Sequence, residues 1–187
     1  MKRTTSTWLI TVTIAALGTL AAPAAAEETT CRGTIGAKTE DNIRVPQGAT
    51  CNLNGTTAKG TVKVERGATL RADGVRVIGN VQAEDARRVN IVENSRVGGS
   101  VQVVQGGAAK VADSKVNADV LYDENNRYLK VVGSVVGGNV QAFQNTGGIR
   151  ISRNTIDGNL QCKENAPPPI GGNNTVGGNK EDQCASL

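Results

Sequence analysis

Apolar and polar residues alternate along this chain in short runs of three to five, such as Val81-Gln82-Ala83 and Val89-Asn90-Ile91. An alternation of period two places every second side chain on one face, which is the pattern of a half-buried strand. Gly, Asn and Asp separate the runs and mark corners. No segment sustains a 3.6-residue period, so helices are not expected. The runs recur. Val77-Ile78-Gly79-Asn80-Val81-Gln82, Val97-Gly98-Gly99-Ser100-Val101-Gln102, Val136-Gly137-Gly138-Asn139-Val140-Gln141 and Ile156-Asp157-Gly158-Asn159-Leu160-Gln161 are copies of one unit. Val116-Asn117-Ala118-Asp119-Val120-Leu121 is a degenerate copy, and Val176-Gly177-Gly178-Asn179 closes the series. The reference glycine stands at 79, 99, 138, 158 and 178, with Ala118 in the missing place, so the steps are 20, 19, 20, 20 and 20 residues. An earlier pair, Asn42–Cys51 and Gly60–Leu70, matches with a shift of 19. About seven copies therefore run from near residue 40 to the C-terminus.

A strand-turn unit of this size cannot bury its own apolar face, but a stack of such units can. Each copy is expected to be one coil whose strands pair with the coils above and below. Seven coils at strand spacing give a rod of roughly 34 Å. Val81, Val101, Val120, Val140 and Leu160 then form one inward ladder, and Val89, Ala109, Leu129 and Ile149 another. Asn80, Ser100, Asp119, Asn139, Asn159 and Asn179 fall in a polar column at one corner; Ser95, Ser114, Ser134, Asn154 and Asn174 form a second. Side-chain bonding at turns accounts for both columns.

The first 26 residues change the picture only by standing outside it. Lys2 and Arg3, the apolar run Trp8–Ala22 and the small residues Ala24, Ala25 and Ala26 read as a signal peptide cleaved after Ala26. The remaining residues, 27–187, are expected to be one β-helix domain in a secreted or periplasmic protein without a transmembrane segment. Four cysteines behind a signal peptide read as disulfides. Spacing alone leaves three connectivities open. The repeat favours Cys31 with Cys51 and Cys162 with Cys184, each about one coil apart, as staples of the terminal coils.

The single-stranded right-handed parallel β-helices of the pectin-lyase-like superfamily resemble this chain in its Gly-Asn-Val-Gln copies and polar columns, over most of residues 40–184. The resemblance implies an all-β, right-handed parallel β-helix. The short regular coils also resemble bactofilins in part; bactofilins polymerise, but they lack a signal peptide and paired cysteines.

Composition removes several chemistries. The chain has no His, which excludes His-based acid–base catalysis, Ser-His-Asp triads and His metal sites. After the signal peptide only Tyr122, Tyr128 and Phe143 are aromatic, which weakens sugar stacking. Removing Lys2 and Arg3 from the 21 basic residues leaves 19 against 17 acidic, too small an excess to point to nucleic acid. The copies are nearly equal in length, whereas enzymes of the pectin-lyase-like type carry long loops around a charged groove. The best carboxylate pair, Asp119 and Asp157, stands two coils apart, about 10 Å by strand spacing. Both positions are ordinary turn positions. No catalytic residue, metal site or cofactor is assigned. One outward column reads Asn52, Arg71, Asn90, Lys110, Lys130, Arg150, basic without an acidic member. Arg71, Lys110, Lys130 and Arg150 are the candidate residues for an acidic polymer, such as a cell-wall or extracellular polysaccharide. The expectation is a non-catalytic structural or surface-binding protein of the cell envelope. A polysaccharide-active enzyme and a self-assembling, bactofilin-like polymer are the alternatives.

Overall fold

The computed structural model describes residues 27–187; the expected signal peptide lies outside the described residues. The described chain is a β-solenoid of twenty-five short strands and no helix. Successive strands join three parallel sheets in turn, A, B and C, each strand pairing with its counterparts in the coils before and after. Sheet A has nine strands and sheets B and C eight each. The stack therefore has about eight coils, not seven. The additional coil is the first, with strands at Glu28–Thr30, Gly33–Ile35 and Thr39–Glu40. Among the described residues it has a neighbour on one side only and little of it is buried, so it lacks the strong inward pattern by which the later copies are recognised.

The expected register is the observed one. Val81, Val101, Val120, Val140 and Leu160 are successive partners in sheet A. Val89, Ala109, Leu129 and Ile149 are successive partners in sheet B. Inward residues are small and β-branched because three sheets enclose a narrow interior, and such side chains suit a pleated, buried surface. The largest fully buried side chain is Tyr122. Its ring is accommodated between Val103 and Ala142 in the adjoining coils, and its hydroxyl donates to the Lys130 carbonyl at 3.2 Å. Burial holds this phenol well above the usual tyrosine range. The folded state thus keeps a proton that the unfolded chain releases near pH 10. Stability is expected to be flat below that pH and to fall above it. Urea titrations between pH 8 and 11.5 should show this fall, and Tyr122→Phe should remove it. Parallel curves for the two proteins would exclude Tyr122 as its source.

The corners are closed by side chains. Between sheets C and A, the backbone N–H groups of the asparagine column from Ser100 onward donate to the column oxygen of the coil before: Ser100 to Asn80 at 2.8 Å, Asn139 to Asp119 at 2.7 Å, Asn159 to Asn139 at 2.8 Å. This explains the reference glycine. A Cβ at Gly99, Gly138, Gly158 or Gly178 would run into the oxygen of Asn80, Asp119, Asn139 or Asn159. Ala118 is tolerated because the side chain behind it is the short Ser100, which accepts the Asp119 N–H at 3.3 Å. Even so, the Ala118 N–H reaches the Gly99 carbonyl only at 3.3 Å, where Gly138 and Gly158 make the same bond at 3.0 Å.

Between sheets B and C the direction reverses. Val75 donates to the Ser95 hydroxyl, Ser134 to the Asn154 oxygen and Asn154 to the Asn174 oxygen, each in the following coil. A third column closes the corner between sheets A and B, and the repeat as read above does not contain it. Asn125, Asn145 and Asn165 are buried there. Gly106 donates to Asn125, Asn125 to Asn145, Asn145 to Asn165 and Asn165 to the Gln183 side chain, at 2.8–3.1 Å. Among the described residues no buried side-chain nitrogen or oxygen lacks a partner. Both expected disulfides form, Cys31–Cys51 and Cys162–Cys184, one at each end of the stack.

Candidate functional site

Strand alternation sends the middle residue of each sheet B strand outward, and parallel pairing stacks these residues in line. Asn52 pairs with Arg71, Arg71 with Asn90, Asn90 with Lys110, Lys110 with Lys130, and Lys130 with Arg150. The four candidate residues thus share one column, but not one environment. Lys110, Lys130 and Arg150 occupy three consecutive coils and are half-buried, their stems lying along the sheet. Arg71 is exposed, separated from them by Asn90, and donates to the Asn52 side-chain oxygen at 3.4 Å. The Lys130 ammonium stands 5.4 Å from the centre of the Tyr128 ring, within reach of a cation–π attraction.

None of the four makes an ion pair among the described residues. The pairs that form are Arg44 with Glu28 and Glu65, Lys59 with Asp41, and Arg66 with Asp85. Beside Lys110, Lys130 and Arg150 runs an open groove of about 520 Å³, bounded also by Arg153, Ser152 and Asp113. Arg153 was not among the sequence candidates. It is a corner residue with φ of 58°, where three other coils carry Gly55, Gly74 and Gly133, so its place beside the column follows from corner geometry and not from strand alternation. Asp113 is the one carboxylate lining this groove.

The carboxylates do not assemble comparably. The Asp119 oxygen already accepts from the backbone and the side chain of Asn139, at 2.7 and 3.1 Å, as a member of the corner column. Asp157 is exposed beside Gly158. Asp123 has a raised pKa, first from burial and then from neighbouring Glu124, but it belongs to sheet A. The groove therefore brings together four cations, one carboxylate, Asp113, and hydroxyl and amide groups, an arrangement that can hold an anion.

Comparison with protein-family models, with curated proteins and with solved structures returned no match. The likeness to pectin-lyase-like proteins and to bactofilins accordingly reaches no further than the parallel coil architecture. No helix among the described residues is long and apolar enough to cross a membrane.

Proposed function

We propose that this chain is a non-catalytic exported protein of the cell envelope that docks on acidic polymers through the outer face of sheet B. The observation that carries the reading is the alignment of Lys110, Lys130 and Arg150 in consecutive coils with no ion-pair partner among the described residues. Parallel pairing spaces these cations at about 4.8 Å along the axis. The spacing is set by backbone hydrogen bonds, so only the side chains remain to be ordered on binding. An extended polyanion lying along the column would meet one cation per coil, with Ser152 and Asn173 beside it to bond hydroxyls. Two disulfides suit a protein that matures in an oxidising compartment.

The test is binding of the oxidised protein to polygalacturonate, with uncharged dextran as control and the supernatant assayed for released sugar. Binding to polygalacturonate alone is expected, weakening steeply with salt. The triple variant K110Q/K130Q/R150Q is expected to bind roughly tenfold more weakly, since three surface charge contacts at about 0.2–1 kcal/mol each sum to about 0.6–3 kcal/mol. Unchanged binding by the variant would remove sheet B from the account. Release of sugar would show that the protein is an enzyme.

A further inference from the structure

Sheet C presents a second cationic array whose chemistry differs from that of sheet B. Arg76, Arg96 and Lys115 are the outward residues of three consecutive coils and are register partners. All three are exposed, and none makes an ion pair or side-chain hydrogen bond among the described residues. Like charges placed directly opposite on neighbouring strands disfavour each other, yet three stand together here; Asp113 lines a neighbouring cleft with Arg96 and Lys115 but forms no ion pair with them. The outward residues of the next row are Ile78, Gly98 and Asn117. Gly98 has no room for a side chain, because a Cβ would run into the Ile78 carbonyl oxygen. Bare backbone therefore lies beside Arg96. The result is a groove of about 380 Å³ with three cations along one wall, Ile78 at one end and Asn117 at the other.

We infer that this groove is a separate anion site that takes a phosphoryl group. A guanidinium is a planar fork that bonds two oxygens of an oxyanion at once, whereas an ammonium acts as a point charge. Two forks one strand spacing apart, with an ammonium on the next strand, offer more donors than one carboxylate can use. A tetrahedral phosphate presents enough oxygens, and enough charge, to engage Arg76, Arg96 and Lys115 together. In the sheet B groove the two guanidiniums are Arg150, on a strand, and Arg153, at the corner, whereas Arg76 and Arg96 are register partners on neighbouring strands. The inference stands independently of the reading of sheet B.

The experiment is a titration of the oxidised protein, followed by backbone amide NMR, with inorganic phosphate and with acetate at equal ionic strength. Phosphate should shift the Val77, Val97 and Val116 amides saturably, and acetate should not. R76Q/R96Q should abolish the shifts, and K110Q/K130Q/R150Q should leave them. R96K, which keeps the charge and loses the fork, should weaken phosphate binding at least about fivefold; it also serves if the double variant fails to fold. Equal shifts with acetate, or shifts that survive R76Q/R96Q or are unaltered in R96K, would overturn the inference. Polyphosphate and vesicles of phosphatidylcholine with phosphatidic acid then identify the source. Tighter binding to one of them than to inorganic phosphate assigns the group to a polymer or to a lipid headgroup, and equal or weaker binding to both assigns it to free phosphate.

Discussion

Asn145→Leu will lower the melting temperature by roughly 10–20 °C. Leucine fills a similar volume, so the loss is one of hydrogen bonds. The Asn145 side-chain nitrogen donates to Asn165 Oδ1 at 2.8 Å and to the Tyr122 carbonyl at 3.0 Å. Its oxygen accepts the Asn125 backbone N–H at 2.9 Å and the Asn125 side-chain nitrogen at 3.0 Å. Leucine would leave the Asn125 N–H, one Asn125 side-chain proton and the Tyr122 carbonyl without these partners, in a corner where Asn125 and Asn145 have no exposure. An unsatisfied buried group costs about 1–3 kcal/mol. Three such groups give a loss of roughly 5 kcal/mol, well beyond what most single substitutions do. Asn145→Ser should lose less, because serine hydroxyls close the equivalent corner between sheets B and C at Ser95 and Ser134. Thermal melts of the three proteins measure both statements. A shift of only a degree or two in Asn145→Leu would mean that water replaces the column.

Reduction of both disulfides is the second large effect, with an expected fall of roughly 12–24 °C. The bridges close segments of 20 and 22 residues. Restricting loops of that length in the unfolded chain contributes about 3 kcal/mol each. Location adds to the effect. Inner coils have two neighbours, terminal coils one, and unfolding of a solenoid starts where neighbours are fewest. C31A/C51A and C162A/C184A separate the two ends; each should account for about half of the fall seen on full reduction. A melt unchanged by reductant would mean that these bridges do not hold the ends.

Both effects depend on features of unequal visibility in the sequence. The cysteine pairs followed from the twenty-residue step, as did the sheet B column, because strand register and side-chain alternation are both periodic and both survive one-residue slips. The corner containing Asn145 was less visible. Its three asparagines are evenly spaced, but Ala86 and Gly106 hold the earlier places, so the column looks like an isolated polar turn at Asn125-Asn126 unless the next two coils are aligned with it. Arg153 could not be placed beside Lys130 and Arg150 by alternation, since corner residues with positive φ do not follow the strand's two-residue period. The first coil was missed for the opposite reason: with one neighbour it has little to bury, and the pattern that identifies a coil is the pattern of what it buries.

The opposed directions of the corner bonds have a vectorial consequence. In the three consecutive coils that carry Gly106, Asn125 and Asn145, the acceptor at two corners is a side chain that the next coil brings, and at the third corner it comes from the coil before. In a chain emerging N-terminus first, the newest coil of this stretch would stand with two open corners until the following coil arrived. The last open N–H of the asparagine column at the junction of sheets A and B is answered by Gln183, which precedes Cys184. The last bond of that corner and the final bridge thus fall to adjacent residues, which ties the end of the column to the end of the stack.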